Sequence, residues 1–232
     1  MKKFFDIDSK PMQLLSKLFD LFLLNGLYIL CCIPIVTIGA AQAGMYRAIV
    51  AMRDPESDYT WTQAFFMGFK DGFWRITIVS TLVLLMTYLV GANALAMIYF
   101  EEATQADGSM LWASYAGGAM LMVVFSTMTL FHSRFGCTAF QLFRNSIMMI
   151  IFNLWRCLVT AALTWLPLVI FLVDTALFIK LTPLWLLGFY AIGAYITNVL
   201  FRVPFAVLEK NYKQVNGLLE EENEEEASEE AE

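Results

Sequence analysis

The stretch CCIPIVTIGA, residues 31–40, interrupts a long apolar run near the N-terminus and decides how the chain is threaded. Pro34 lacks a backbone N–H and clashes with the preceding helical turn, so a helix is expected to break here. The stretch therefore marks either a kink in one membrane helix or a turn between two membrane segments. The segment after it is short and holds Gln42 and Arg47, so a re-entrant helix buried in protein also fits.

The rest of the chain alternates apolar runs with short polar stretches. It is 59% hydrophobic and 16% charged, whereas soluble domains average about 45–50% apolar residues. Residues 76–100, 110–131 and 157–173 contain no charged side chain, and each approaches the ~20 residues that cross a ~30 Å hydrocarbon core. Backbone in lipid must satisfy its own hydrogen bonds, which favours helices. The sequence thus predicts an all-α, polytopic membrane helical bundle with about five to six membrane helices.

One membrane domain is predicted over residues 1–210. Its membrane segments are expected at about 12–33, 36–52, 76–100, 110–132, 157–173 and 184–205. Two aromatic-rich amphipathic stretches, at about 61–75 and 139–155, are predicted to be helices at the cytoplasmic membrane interface. Residues 211–232 are predicted to be a disordered, acidic cytoplasmic tail, because nine of the thirteen residues at 220–232 are Glu and repel one another.

The distribution of Lys and Arg predicts the orientation. The loop at 101–109 has three acidic residues and no basic one, whereas Lys and Arg residues lie at the N-terminus, at Arg53 and, ahead of the acidic tail, at Arg202, Lys210 and Lys213. Basic loops face the cytoplasm, so two membrane segments must separate the N-terminus from Arg53. We therefore predict a multi-pass protein with both termini in the cytoplasm and the turn at 33–39 outside.

Ten polar residues fall at predicted membrane depth: Asp20, Asn25, Thr37, Gln42, Arg47, Asn93, Asn153, Arg156, Asn198 and Arg202. Such groups are costly in lipid, so they are expected to face the bundle interior as helix–helix glue or as part of a functional site. The candidate functional residues are seven of them: Asp20, Thr37, Gln42, Arg47, Asn153, Arg156 and Asn198. Asp20 and Arg47 are expected to pair near the cytoplasmic end.

Signatures of catalysis are missing from the sequence. His132 is the only histidine, which excludes a cluster of histidine metal ligands, and no phosphate-binding loop motif is present. The four cysteines lack metal-binding spacing. We predict no enzymatic activity, no catalytic residue, no cofactor, no metal site and no nucleic-acid partner. A membrane enzyme would instead need converging groups such as Asp20, His132 and Glu209.

The opening of the chain, FFDIDSKPMQLLSKLFDLFLLNGLYILCCIPIVTIGAAQAGMYRAIVAMRD at residues 4–54, resembles the YesL family, also called the DUF624 family of bacterial membrane proteins. FFMGFKDGFWR at 65–75 and RNSIMMIIFNLWR at 144–156 are similar to later blocks of that family, so the resemblance covers about residues 4–210.

Members of that family have no known molecular function and are often encoded beside carbohydrate ABC transporter components in Gram-positive bacteria. The resemblance implies a bacterial plasma-membrane protein that serves oligosaccharide ABC transport as a non-enzymatic accessory, with permease subunits as partners. The alternative from the residues is a small transporter or channel with a polar cavity near the second membrane segment. The oligomeric state stays open.

Overall fold

The computed structural model describes residues 10–54, 57–99, 108–136 and 138–215, which form helices and no strand. The predicted all-α polytopic bundle is confirmed. Within the described ranges, five helical stretches are long and apolar enough to cross a membrane: Ile35–Arg53, Phe73–Ile98, Gly108–His132, Leu154–Val173 and Thr182–Leu200. The predicted acidic tail lies outside the described residues, except that 211–215 continue the last helix.

Ten helices are labelled here in chain order. They are α1 Lys10–Cys31, α2 Ile38–Arg53, α3 Trp61–Lys70, α4 Phe73–Tyr99, α5 Gly108–His132, α6 Ala139–Phe152, α7 Leu154–Val173, α8 Thr175–Lys180, α9 Tyr190–Leu200 and α10 Arg202–Val215. A 3-10 turn at Ile35–Thr37 precedes α2, and a helical turn at Thr182–Leu184 followed by a π-helical segment at Trp185–Phe189 leads into α9.

The break at Pro34 separates two helices. After α1 ends, the hydroxyl of Thr37 donates to the carbonyl oxygens of Cys31 at 2.6 Å and Pro34 at 2.7 Å, which closes the turn. Helix α1 is not one of the five stretches above, but its 22 residues give about 33 Å at the usual rise of about 1.5 Å per residue, a length that would cross a bilayer core. The chain therefore forms a helix pair here, not one kinked helix.

Helix α2 lies at the centre of the bundle, where α1, α3, α4, α5 and α9 pack around it. Ten of its 16 residues are buried, and most of those are Gly or Ala. A Cβ on Gly44 would lie 2.8 Å from the carbonyl oxygen of Phe65, and one on Gly68 would lie 3.0 Å from the Cα of Gly44. Small side chains thus let α3 press against α2 backbone to backbone.

Both predicted interfacial helices are split by corners. The first ends at Lys70, where Gly72 turns the chain with φ +57° and α4 begins at Phe73. The second ends at Phe152, and Asn153 with φ −134° and ψ 39° separates α6 from α7. Each helix starts with a Thr-x-x-Gln capping box. Aromatic residues continue on both sides of each corner, so the hydrophobic pattern alone does not mark the break.

The predicted segment at 184–205 is also not one regular helix. Gly188 takes φ +146° inside the π-helical segment, and Phe201 separates α9 from α10. Only a glycine adopts that φ without strain. The irregular backbone at Gly188 leaves polar groups that need partners inside the bundle.

Candidate functional site

Gln42 is the polar centre of the interior. Its Nε2 donates to the hydroxyl oxygens of Tyr46 at 3.1 Å and Thr164 at 3.2 Å, which ties α2 to α7. The enclosed space beside it, between these residues and Tyr28 and Tyr190, has a volume of about 10 Å³. A single water needs about 10–15 Å³, so a sugar or another solute of that size does not fit.

Asn25 holds the irregular backbone around Gly188 in place. Its Nδ2 donates to the carbonyl oxygens of Trp185 and Leu186, each at 3.0 Å. Its Oδ1 accepts from the backbone N–H groups of Tyr190 at 3.1 Å and Ala191 at 3.2 Å. The fully buried amide therefore bridges the two sides of the break and fastens α1 to the last membrane segment.

Asn25 is one of the ten polar residues at predicted membrane depth, but it is not among the seven candidate functional residues. The signal that could have identified it is an Asn within an apolar helix. The partner could not have been identified, because it is backbone 160 residues away.

Arg47 pairs with Asp71, not with Asp20. Its Nη1 lies 3.2 Å from the Asp71 Oδ2, and both side chains are partly exposed. The predicted Asp20–Arg47 pair is wrong, because the corner between α3 and α4 carries Asp71 to the end of α2. Asp20 is half-buried and has no hydrogen bond or ion pair within the described part of the chain.

His132 closes the same corner from α5. Its Nε2 lies 2.9 Å from the backbone carbonyl oxygen of Asp71. A carbonyl only accepts, so Nε2 carries the proton and donates. The ring also sits against Gly72, where an added Cβ would lie 3.1 Å from its Cε1. His132 thus binds a main-chain group, and the Asp71 carboxylate is turned to Arg47.

Arg134 joins the ends of α5, α9 and α10. Its Nη2 donates to the Asn198 Oδ1 at 3.2 Å, its Nη1 lies 3.8 Å from the Glu209 Oε1, and its guanidinium stacks 5.3 Å from the Phe205 ring centroid. Burial lowers the pKa of Arg134 from its ordinary value, and the Glu209 carboxylate opposes that shift. Asn198, a predicted site residue, therefore helps to connect α9 to Arg134 at the end of α5.

These contacts show that several helix ends meet at one end of the molecule. The ends of α2 and α5 meet the start of α4 at Asp71, and the end of α5 meets the end of α9 at Arg134. We call this the basic end, after the cations on or beside these helix ends, which include Arg47, Arg53, Lys70, Arg75 and Arg134. Arg156 lies there as well, because it lines one groove together with Phe131 near the end of α5.

Asn153 and Arg156 lie at the edge of a groove on the basic end. The Nη1 of Arg156 donates to the Asn153 Oδ1 at 2.8 Å. The groove, here called the α6–α10 groove, has a volume of about 440 Å³. Its apolar walls come mainly from α6 and α10, with Phe131 of α5 beside them: Met148, Met149, Phe152, Val203, Val207 and Leu208.

The seven predicted site residues therefore occupy separate places. Thr37 closes the turn, Gln42 lies in the closed interior, and Asn153 and Arg156 border the groove. Arg47 and Asn198 lie in different contacts of the basic end. Among the residues that the structure describes, no group of three or more His, Cys, Asp or Glu side chains is placed to hold a metal ion.

One comparison with known proteins gives a match over part of the chain. The family model DUF624, described as a protein of unknown function, matches residues 21–94, in agreement with the resemblance of the opening stretch to that family. The matched stretch runs from the middle of α1 into α4 and includes Asn25, Gln42, Arg47 and Asp71. No curated protein and no solved structure matches the chain.

Proposed function

We propose that this protein, whose residues 21–94 match the DUF624 family, is a non-enzymatic accessory of an oligosaccharide ABC transporter. The observation that carries the proposal is that the interior polar side chains make hydrogen bonds within the protein and do not line a solute-sized cavity. Asn25, Gln42 and Asn198 bond to neighbouring helices, and the space beside Gln42 is only about 10 Å³. A transporter or channel near α2 would need a polar path of solute size, whereas an accessory that contacts a partner does not.

The link to carbohydrate transport comes from the resemblance of residues 4–54 to a family often encoded beside carbohydrate ABC transporter components. The bacterial plasma membrane is the location that fits this link. The gathering of cations at the basic end supports a cytoplasmic position for that end and for both termini.

The surface that best fits a membrane partner is the half of the α4–α5 helix pair that lies away from the basic end. Only 11% of the most apolar stretch of α4 is buried, and Tyr88 and Trp112 are more than two-thirds exposed. A shallow depression of about 440 Å³ there contains Asn93, Ser114 and Gly117. The Asn93 amide is exposed within an apolar helix and has no hydrogen bond in the described ranges.

An amide in lipid gains from a hydrogen-bonding partner, and small neighbours let a second helix approach. The partner we assign to this surface is a transmembrane helix of a permease subunit, with a polar side chain facing Asn93.

Co-purification tests the proposal. The tagged protein is co-expressed with the two permease subunits of an oligosaccharide ABC transporter from the same genome and isolated in mild detergent. Wild type should retain the permease, whereas Asn93→Leu should retain about fivefold less, corresponding to a bond of about 1 kcal/mol. Thr87→Val is the matched control, because the Thr87 hydroxyl already donates to the Val83 carbonyl at 2.8 Å.

Two outcomes would contradict the accessory role, whereas equal recovery of permease by wild type and both variants would contradict the assignment of the Asn93 surface. One is that the wild type recovers no permease. The other is uptake of labelled oligosaccharide by proteoliposomes that hold this protein alone, with loss of uptake in Gln42→Leu. The second outcome would support the transporter alternative.

A further inference from the structure

We propose that the α6–α10 groove binds one anionic phospholipid, with the phosphate on Arg156 and an acyl chain along the apolar walls. The inference does not depend on the accessory role, because the groove lies on the basic end and the α4–α5 surface lies on the distal half of another helix pair.

The first support is the unneutralised charge of Arg156. Arg47 and Arg134 each have a carboxylate partner, at 3.2 Å and 3.8 Å. Arg156 is half-buried, and its only hydrogen bond within the described ranges is to the neutral Asn153 amide. A guanidinium has five N–H donors, so most of them stay available to an anion, and phosphate oxygens accept from it in bidentate geometry.

The second support is the shape and chemistry of the groove. Its volume of about 440 Å³ lies within the about 300–1,000 Å³ of small-molecule pockets. Phe152 and Val203 on opposite walls are 77% and 65% exposed. Free phosphate would leave these apolar walls uncovered, and a purely apolar ligand would leave Arg156 unpaired. A phospholipid with an anionic headgroup satisfies both.

The third support is the position of the groove. Arg156 lies in the first turn of α7, one of the five membrane-competent helices, and neighbouring Trp155 is 60% exposed. Trp is favoured at headgroup depth. The start of a helix also favours an anion through its dipole, and the Asn153 side chain does not cap α7 because it is bound to Arg156. Basic pockets at the ends of membrane helices are suited to lipid headgroups.

Native mass spectrometry of the detergent-solubilised full chain tests the proposal. Dioleoyl phosphatidylglycerol is titrated, with dioleoyl phosphatidylcholine and inorganic phosphate in parallel. We expect one phosphatidylglycerol to bind the wild type at least about tenfold more tightly than phosphatidylcholine, since charge-assisted bonds to Arg are the stronger ones. Arg156→Gln should remove that preference.

Two further variants keep the test decisive. Arg144→Gln removes an equal charge from an exposed position on α6 that does not line the groove, so it should bind like wild type. Val207→Trp fills the groove from an exposed position and retains Arg156, so it should lose the lipid while its melting temperature stays within a few degrees.

The proposal is overturned if phosphatidylcholine binds equally, if inorganic phosphate competes away the lipid at similar concentration, or if Arg144→Gln and Arg156→Gln lose the same affinity. Retention of the lipid by Val207→Trp would likewise overturn it, because the acyl chain would then lie elsewhere. A groove that takes up a protein helix in place of lipid would show no phosphatidylglycerol adduct on the isolated chain.

Discussion

Single buried amides decide which helices of this protein stay together. Asn25, Gln42 and Asn198 each join helices that are far apart in sequence, and each is at most 1% exposed. Asn25 has the most complete set of bonds, because both its oxygen and its nitrogen are used twice. The Gln42 Oε1, in contrast, is buried without a partner in the described residues.

Replacement of Asn25 should therefore be costly. Asn25→Leu removes four hydrogen bonds to backbone carbonyl and N–H groups on both sides of Gly188 inside the bundle. We expect the free energy of unfolding to fall by about 2–5 kcal/mol, since each buried polar group left without a partner costs about 1–3 kcal/mol and neighbouring groups relax in part. Reversible unfolding in mixed micelles measures the loss.

Asn93→Leu is the control for that measurement. Its side chain is exposed and makes no hydrogen bond in the part of the chain that is described, so the free energy of unfolding should change by less than about 0.5 kcal/mol. Equal losses in both variants would contradict the assignment of Asn25 as the bridge to the Gly188 break.

Among the helices, α2 is the one that its neighbours pack against most closely. Its Gly and Ala residues between Gly39 and Gly44 let α3 and α4 approach its backbone, and a Cβ added to Gly39 would overlap the Ser80 side chain of α4. The large side chains that α2 buries within and directly after this stretch are Gln42, Met45 and Tyr46. Close backbone contact therefore accounts for much of the burial of α2.

Gly44→Ala should separate α2 from α3. The new Cβ would lie 2.8 Å from the Phe65 carbonyl oxygen and 3.3 Å from the Phe69 nitrogen, and backbone atoms cannot rotate away. We expect the free energy of unfolding to fall by about 1–3 kcal/mol, as for other overpacked sites. Gly117→Ala, with no atom within 4 Å of its Cβ, is the control and should be neutral or slightly stabilising. A neutral Gly44→Ala would contradict the tight crossing.

For the molecule as a whole, the topology depends on how deep in the membrane the turn at 32–37 lies. The turn at 32–37 exposes Ile33 and Ile35, which suits either lipid or the outer surface. The structure shows two helices around the turn, and the distribution of basic residues predicts that both cross the membrane.

Cysteine labelling decides between a full crossing and a re-entrant helix. Ile35→Cys is preferable to a change at Thr37, because Ile35 is 72% exposed and the Thr37 hydroxyl holds the turn together. In a background without the four native cysteines, we expect an impermeant maleimide to label Ile35→Cys from outside intact cells. Lys180→Cys should label likewise, and Arg144→Cys only after permeabilisation.

Failure of Ile35→Cys to label before or after permeabilisation, with both controls behaving as expected, would place the turn within the hydrocarbon and make α2 re-entrant. Labelling only after permeabilisation would reverse the predicted orientation of this turn.

The sequence by itself determined the helical class, the approximate number of apolar helices and the break at Pro34. Apolar run length, the missing N–H of proline and the clash within one turn act locally, so they can be read along the chain. It also carried the resemblance to the DUF624 family, with which the family match at residues 21–94 agrees.

Only the tertiary structure decided which polar residue meets which. Arg47 meets Asp71 because of a corner at Gly72, and Asn25 meets the break at Gly188 because two distant helices lie side by side. The α6–α10 groove likewise joins Arg156 to walls contributed by residues about 50 positions later. A hydropathy pattern gives each helix an apolar length but does not specify its neighbours, and the neighbours assign each polar side chain its partner.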